Sequence, residues 1–311
     1  MISKVRRGDR LALARLITRV ENRSDDILDL LPEIFRDRGT PQIIGVTGPP
    51  GAGKSTLVDR LIERFRKQGE RVAVLAVDPS SPFSGGAVLG DRIRMQAHAG
   101  DAKVFIRSLG TRGKRGGLSG AVKEILWVLG SAGFGKIIVE TAGVGQTELD
   151  VHDCAHTVLV VLVPESGDSI QVMKAGLMEI ADVFVINKSD RPEADKLASE
   201  VAQMVGLEKL DSKLRFLPPV LRTQALSDQG VEAVVKACLD HWSYLEKSGG
   251  RERKDRAFIR SQVVEFLTEK YGTKAEHLLD SEDGVSLIKS IALGKKNPKD
   301  AILYLKNKIK P

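Results

Sequence analysis

The fold class of this chain is decided by the stretch Gly48-Pro49-Pro50-Gly51-Ala52-Gly53-Lys54-Ser55-Thr56. It has the phosphate-loop pattern of a glycine, four further residues and then Gly-Lys-Ser. Because its glycines lack a Cβ, the backbone can fold tightly around a polyphosphate and direct its N–H groups inward. We expect all nine residues to line a nucleotide, with Lys54 reaching the β- and γ-phosphates and the Ser55 hydroxyl ligating Mg²⁺.

The residues on either side of this loop support the same interpretation. The apolar run Ile43–Val46 precedes it, and the amphipathic stretch Ser55–Lys67 follows it. A strand, a loop and a helix in that order form the usual setting of a phosphate loop, because the helix N-terminus favours negative charge. A glycine-rich turn that matched the pattern by chance would lack this setting.

Seven apolar runs alternate with amphipathic stretches along the middle of the chain. The runs are Gln42–Thr47, Arg71–Val77, Lys103–Arg107, Lys136–Thr141, Thr157–Val163, Asp182–Asn187 and Arg215–Val220, and the helical stretches include Ser55–Lys67, Leu118–Leu129 and Ile170–Ile180. Continuous Val/Ile runs separated by helices indicate a mainly parallel sheet that is buried on both faces. We therefore expect a doubly wound α/β phosphate-loop domain.

Helical segments flank this domain on both sides. Residues 1–40 carry apolar residues at helical spacing and predict an N-terminal extension, which leaves residues 41–245 for the α/β domain. Residues 246–311 contain no strand candidate, and helical patterns occur at Ala257–Tyr271 and Ala301–Ile309. Such a C-terminal extension could fold over its own domain or pack against a second subunit.

Composition narrows the possible partners and location. The 311 residues are 42% hydrophobic and 29% charged, and two cysteines cannot form a disulfide framework, so we expect a cytoplasmic protein. The apolar stretch Val158–Val163 is far too short for a membrane helix, so no membrane is expected. The net charge of +7 suggests nucleic acid as a possible partner. Basic and acidic residues are interspersed, however, which disfavours nucleic-acid binding.

A second motif predicts the base that is bound. The tetrapeptide Asn187-Lys188-Ser189-Asp190 ends the apolar run Val183–Ile186. The Asp190 carboxylate can accept hydrogen bonds from guanine N1–H and the N2 amine, whereas adenine has no donors there. The stem of Lys188 can lie across the base, and Asn187 can tie neighbouring loops together. The alternative is an ordinary surface turn after a strand.

A further loop is a candidate for the other side of the base. Thr223, Gln224 and Ala225 follow the apolar run Arg215–Val220. Their backbone N–H groups, that of Ala225 especially, could donate to the guanine O6 atom.

Two acidic residues occur where a metal site needs them. Asp78 and Glu140 end their apolar runs, and strand ends at one edge of a parallel sheet converge on the ligand crevice. Both carboxylates could therefore face phosphate-bound Mg²⁺. Asp91 is a third candidate ligand or a helix cap, and the N–H of Gly143 could contact a γ-phosphate. Each acid could instead be a helix cap or a solvated strand end.

No residue of this sequence is an evident strong base for water. Phosphoryl transfer depends mainly on positioning and charge neutralisation, and we assign these roles to Lys54, Asp78 and Glu140. Slow hydrolysis by the chain alone is therefore expected, which is typical of a switch or a chaperone.

These motifs resemble the methylmalonyl-CoA-mutase-associated GTPases, the MeaB/ArgK group that includes the methylmalonic aciduria type A protein. The resemblance rests on Gly8–Arg10, Gly48–Thr56, Val77–Pro82, Gly90–Met95, Glu140–Gln146 and Asn187–Asp190. It implies a homodimeric, Mg²⁺-dependent GTPase that binds GTP and GDP and serves an adenosylcobalamin-dependent acyl-CoA mutase as a chaperone. It would gate cofactor delivery and protect or rescue the mutase.

The resemblance also implies roles for individual residues. Ser55, Asp78, Asp91 and Glu140 match the magnesium-site positions of the family. Residues 164–174 match the switch that reports the nucleotide state to the mutase, and its candidate contacts are Glu165, Asp168, Gln171 and Lys174. The C-terminal extension matches the dimerisation arm.

Other classes of nucleotide-binding protein remain as alternatives. A nickel-delivery GTPase would use histidine- or cysteine-rich stretches, and here only His152 and His156 lie four residues apart. A kinase linked to amino-acid transport would need an acceptor pocket and a base. A particle-type GTPase of protein targeting would need an additional module.

Overall fold

The computed structural model describes residues 1–22, 27–78, 98, 100–110, 120–141, 150–164, 176–211 and 216–309. The side chains at positions 28, 78, 120, 208–211 and 269 lie outside this description. The chain forms two compact units, Met1–Asp255 and Arg256–Pro311.

The first unit is built on a parallel sheet of seven strands. Their order across the sheet is β3-β2-β4-β1-β5-β6-β7, and each pair of neighbours is parallel. The strands are β1 (Gln42–Thr47), β2 (Val72–Asp78), β3 (Val104–Gly110), β4 (Lys136–Thr141), β5 (Thr157–Leu162), β6 (Val183–Ile186) and β7 (Val220–Arg222). The expected mainly parallel α/β fold is confirmed.

Helices precede the first strand, connect several of the strands and follow the last strand in sequence. They are α1 (Ile2–Arg6), α2 (Arg10–Glu21), α3 (Ile27–Arg36), α4 (Lys54–Lys67), α5 (Gly120–Ser131), α6 (Ala194–Asp211), α7 (Val231–Lys247), α8 (Gly250–Leu279), α9 (Glu282–Ala292) and α10 (Pro298–Lys308). Short helical turns occur at Val151–Asp153, Met178–Ile180 and Ala225–Ser227.

The central strands explain why the site forms at one edge of the sheet. Every residue of β1, β4 and β5 is buried, as expected for strands that are covered on both faces. Val46 of β1 is in register with Glu140 of β4, so both strands end at the same edge. Helix α4 packs on the sheet through buried residues that include Leu57, Leu61 and Phe65.

The predicted strand Arg215–Val220 was wrong in its position. The strand in the structure is Val220–Arg222, and it begins directly after Pro218 and Pro219. Proline has no N–H to donate to a neighbouring strand, so the ladder starts beyond the pair. The carbonyl of Pro219 still accepts a hydrogen bond of 2.9 Å from the N–H of Phe184.

The N-terminal helices pack within the first unit. Asp9 caps the N-terminus of α2, since its side chain accepts a hydrogen bond of 2.9 Å from the N–H of Ala12. Phe35 of α3 contacts Trp127 of α5 edge to face, with ring centroids 5.3 Å apart. The three-part division at residues 40 and 245 stays a prediction, and the helical character of residues 1–21 is observed.

Two helices of the second unit, α9 and α10, have side-chain caps. Ser281 caps α9, and Asn297 with Asp300 forms a capping box at α10. Several large apolar side chains of this unit are at least 44% exposed: Val263, Val264, Leu267, Val285, Ile288, Leu293, Ile302 and Leu303. Among the helices that the structure describes in either unit, none is both long and apolar enough to cross a bilayer.

Candidate nucleotide site

The phosphate loop joins the end of β1 to the start of α4. Gly48 has φ +136°, and a Cβ built on it would lie 2.1 Å from the carbonyl oxygen of Val161 in β5. Only glycine allows this close approach. The loop is therefore pressed against the centre of the sheet, and it ends in Gly53, whose left-handed conformation (φ +84°) precedes the first residue of α4.

Lys54 is held at this loop by backbone carbonyls. Its side chain is buried, and its Nζ donates to the carbonyl oxygens of Gly48 at 2.8 Å and Pro49 at 3.0 Å. The ammonium group therefore stays within the loop although the side chain carries a full charge. Its predicted contact with the β- and γ-phosphates stays a prediction.

The structure brings Ser55 and Glu140 together. The Ser55 hydroxyl donates a hydrogen bond of 2.7 Å to Oε1 of Glu140, and both side chains are buried. A hydroxyl and a carboxylate are hard oxygen donors, which are the ligands that Mg²⁺ prefers. Beside Glu140, β2 is in register with β4 up to Val77 and Thr141, so the backbone of Asp78 ends at the same edge. Ser55 and Glu140 fit a magnesium site. The Asp78 side chain lies outside the described residues, so its role as a ligand stays a prediction.

Asn187 connects the phosphate loop to the second loop. Its Nδ2 donates to the carbonyl oxygen of Ala52 at 2.9 Å. Its Oδ1 accepts from Thr223 Oγ1 at 3.0 Å and from the N–H of Ala225 at 3.1 Å. The Asn187 side chain is only 3% exposed, so three hydrogen bonds stabilise this junction away from water. The expectation that Asn187 ties loops together agrees with this geometry.

The remaining base-site residues surround this junction. Lys188 has a left-handed backbone (φ +54°), and the N–H of Ser189 donates to the carbonyl of Thr223 at 3.0 Å. The Asp190 side chain is 56% exposed and can meet a ligand from solvent. The Ala225 N–H, expected to reach guanine O6, is instead directed to Asn187, so its role at the base stays a prediction.

Several predicted residues cannot be assigned a position. Asp91, Gly143, Glu165, Asp168, Gln171 and Lys174 lie outside the described residues. The third metal candidate, the γ-phosphate contact and the switch contacts therefore stay predictions.

Comparisons with known proteins fix the family. The sequence model of Methylmalonyl Co-A mutase-associated GTPase MeaB matches residues 13–277. A protein of Pyrococcus horikoshii that is named as a GTPase is 43% identical to this chain over 305 residues. The match covers 97% of this chain and 96% of that protein. The chain is a GTPase of the MeaB family.

Two further relatives extend this comparison. GTPase ArgK of Escherichia coli is 34% identical over 309 residues, which cover 95% of this chain and 90% of ArgK. A crystal structure of a protein called LAO/AO transport system kinase is 29% identical and superposes with a TM-score of 0.67, covering 100% of this chain and 96% of the other. A solved structure therefore matches this chain along its whole length.

Sequence reasoning missed two residues that border the site of this MeaB-family GTPase. Arg60 and Arg64 lie on α4 and contact the loop at Ala225–Ser227 and its flanking residues. The one available signal was their spacing of four residues, which places them on the same side of the helix that follows the phosphate loop. Many surface arginines share that spacing, so it does not identify a site.

His156, one of the two histidines considered as nickel ligands, has a structural role. His156 accepts from the N–H of Ile43 through Nδ1 at 3.0 Å, and its Nε2 lies 3.1 Å from Asp255. His152 is half-exposed and lies beside Asp153. Burial raises the pKa of the thiols of Cys154 and Cys238 to about 12, so neither is a thiolate at neutral pH.

A different cluster brings potential metal ligands together. Asp59, Glu63 and His98 place one ligand atom each within 4.8 Å of one another. His98 Nε2 lies 2.9 Å from Asp59 Oδ1, and both oxygens of Glu63 accept from Arg60 Nη1 at 3.0 Å. An arginine therefore already balances one of the two carboxylates.

The contact between Gly53 and Asn187 leads to a testable difference between two glycines. A Cβ on Gly53 would lie 2.4 Å from Asn187 Nδ2, whereas a Cβ on Gly51 (φ +76°) has no described atom within 4 Å. We expect Gly51→Ala to lower the free energy of unfolding by about 1–2 kcal/mol through backbone strain. Gly53→Ala should lose about 1–3 kcal/mol more, because it also displaces a buried hydrogen-bonding side chain.

Chemical denaturation of both variants and the wild type measures this difference. Gly51→Ala serves as the matched control, since both glycines have positive φ. Equal losses in the two variants would show that Asn187 does not constrain the phosphate loop.

Proposed function

We propose that this MeaB-family GTPase binds Mg²⁺ with GTP or GDP and acts as a G-protein chaperone for an adenosylcobalamin-dependent acyl-CoA mutase. Methylmalonyl-CoA mutase is the first candidate for the client. The GTPase gates cofactor loading and protects or rescues the mutase. The observation that carries the nucleotide part is the Asn187 junction, which joins Ala52 of the phosphate loop to Ala225 of the second loop.

Guanine selectivity follows from the groups around this junction. Asp190 offers two carboxylate oxygens to a base that presents two adjacent donors, N1–H and the N2 amine. Adenine would cover that carboxylate without donating a hydrogen bond to it, which disfavours adenine. Lys188 lies two residues before Asp190 in the chain, and its aliphatic stem can cover the face of the base.

The protein's own groups account for slow hydrolysis. The loop from Gly48 to Gly53 and the N-terminus of α4 orient the phosphates, and Lys54 supplies a positive charge. Ser55 and Glu140, with Asp78 beside them, would hold Mg²⁺, which when bound neutralises charge on the β- and γ-phosphates. No described side chain is assigned as a base for water, so turnover depends on positioning.

Support for the mutase as partner comes from the family description. The matching family model covers residues 13–277 and carries the words Methylmalonyl Co-A mutase-associated in its name. Residues 164–174, with Glu165, Asp168, Gln171 and Lys174 as candidate contacts, are proposed as the segment that reports the nucleotide state to this partner. The cytoplasmic location expected from the composition belongs to the same proposal.

We also propose that the GTPase is a homodimer formed through its second unit. The exposed apolar residues of α8, α9 and α10 support this proposal. When a second copy covers side chains such as Val264, Ile288 and Ile302, their apolar surface leaves water, which stabilises the dimer. Light scattering on the purified chain should give twice the chain mass. A single-chain mass at micromolar concentration would contradict the dimer.

A kinase is the second candidate function. It is favoured by the structural match to the protein called LAO/AO transport system kinase, which spans the whole chain. A kinase would transfer the γ-phosphoryl group to an acceptor instead of water. Complete recovery of the labelled γ-phosphate as inorganic phosphate, with none on any candidate acceptor, would contradict this function.

The decisive experiment measures GTP hydrolysis by the purified chain, alone and with an adenosylcobalamin-dependent acyl-CoA mutase from the same genome. We expect slow hydrolysis alone and an increase of about tenfold or more with the mutase, because a partner can complete a site that lacks a group for the transition state. ATP should be hydrolysed far more slowly than GTP.

Two variants serve as controls for this experiment. Lys54→Ala should abolish stimulated turnover, because it removes the positive charge at the phosphates. Asp190→Ala should reduce the preference for GTP over ATP. A rate that no such mutase changes would contradict the chaperone role, and an unchanged preference in Asp190→Ala would contradict the base site.

A further inference from the structure

The loop after β7 is fixed to the helix that follows the phosphate loop by two arginines. Arg60 Nε donates to the carbonyl oxygen of Ala225 at 3.2 Å, and its Nη2 donates to that of Leu226 at 3.1 Å. Arg64 forms ion pairs with Asp228 and, at 2.9 Å, with Glu232. We call Arg60 and Arg64 the arginine clamp.

Arg60 completes a set of hydrogen bonds that holds both backbone groups of Ala225. The Ala225 N–H donates to Asn187 Oδ1 at 3.1 Å, while its carbonyl accepts from Arg60. Ala225 is 2% exposed, so neither bond is readily replaced by water. The position of Ala225 is therefore set by Asn187, which follows β6, and by Arg60 of α4.

The rest of the loop contains tight backbone turns that the contacts with α4 stabilise. Asp228 has a left-handed backbone (φ +59°), which costs free energy for a residue other than glycine. Gly230 (φ +74°) turns so tightly that a Cβ would lie 2.2 Å from the Arg222 carbonyl oxygen. The ion pair between Arg64 and Asp228 stabilises the first of these turns.

The geometry of arginine suits this task. The guanidinium of Arg60 donates to two successive carbonyls while its Nη1 donates to both oxygens of Glu63 at 3.0 Å. Glu63 therefore orients the planar group and balances its charge. Lysine has one nitrogen and cannot reproduce this fork of donors.

The clamp also links two parts of the nucleotide site through one rigid element. Lys54 begins α4, and Arg60 lies six residues later on the same helix. At 1.5 Å per residue, the two are separated by about 9 Å along the helix axis. The phosphate loop and the loop at Ala225 are thus held at a fixed separation.

We propose that Arg60 and Arg64 are positioning residues for guanine recognition: they hold the loop at Ala225–Asp228 against α4, at a set distance from the phosphate loop. This rests on the proposed function, in which guanine selectivity follows from the groups around the Asn187 junction, because this loop forms one side of that junction. Because the arginines act through the loop, their loss should weaken binding of the base and leave binding of the phosphates intact.

The test compares ligands that do and do not carry a base. Arg60→Gln removes the donors to both carbonyls, and we expect its Kd for GDP to rise about 10- to 100-fold, as for the loss of hydrogen bonds from a charged group. The Kd for tripolyphosphate should change less than about threefold, because the phosphate loop is intact. For GTP hydrolysis, KM should rise with kcat unchanged.

Three further variants make the result specific. Lys67→Gln removes the same charge from an exposed position at the end of α4 and should bind GDP like the wild type. Arg60→Lys keeps the charge without the fork, so its Kd for GDP should be intermediate. Arg64→Gln should also weaken GDP binding more than tripolyphosphate binding, which keeps the test available if Arg60→Gln does not fold.

The outcomes separate this inference from the proposed function. Wild-type protein that binds ADP as tightly as GDP would contradict the guanine site itself. Guanine-selective wild type with unchanged GDP binding in folded Arg60→Gln and Arg64→Gln would overturn the clamp. Equal loss of GDP and tripolyphosphate binding would also overturn it, since that pattern indicates general damage to α4.

Discussion

The buried side chain of Asn187 is the interaction on which the rest of the site depends. It follows β6, yet its amide donates to Ala52 in the phosphate loop and accepts from Thr223 and Ala225 after β7. One planar group with two donors and one acceptor oxygen thus joins three segments that are distant in sequence. A shorter side chain could not span them, and a carboxylate would present an oxygen to the Ala52 carbonyl.

The parallel sheet makes this junction possible. All seven strands run in the same direction, so their carboxyl ends deliver the phosphate loop, Glu140, Asn187 and Thr223 to one edge. Helix α4 then closes the arrangement, because its N-terminus belongs to the phosphate loop while Arg60 contacts Ala225. Selectivity for a base and affinity for phosphates can therefore be set by residues of a single rigid frame. Ser55 and Glu140, the proposed magnesium ligands, are hydrogen-bonded to each other beside it.

Local sequence patterns predicted the parts of this frame that depend on local physics. The apolar runs gave the strands, and the glycines and Lys54 identified the phosphate loop. The start of β7 was misplaced because its apolar run includes Pro218 and Pro219. The bonds of Arg60 to Ala225 and Leu226 were not predictable, because they join residues about 165 positions apart. Helix α9 was not identified either, because its first turn contains Gly284, which lowers helix propensity.

The most direct test of the central claim is amide hydrogen exchange in Asn187→Ala, with Thr223→Val as the control that removes only one of the three bonds. If Asn187 holds the two loops as one unit, exchange should accelerate together in the peptides that cover residues 48–56 and 222–230, because local opening exposes both. Thr223→Val should accelerate exchange mainly in the second peptide. Faster exchange confined to one loop of Asn187→Ala, with the other unchanged, would contradict the account.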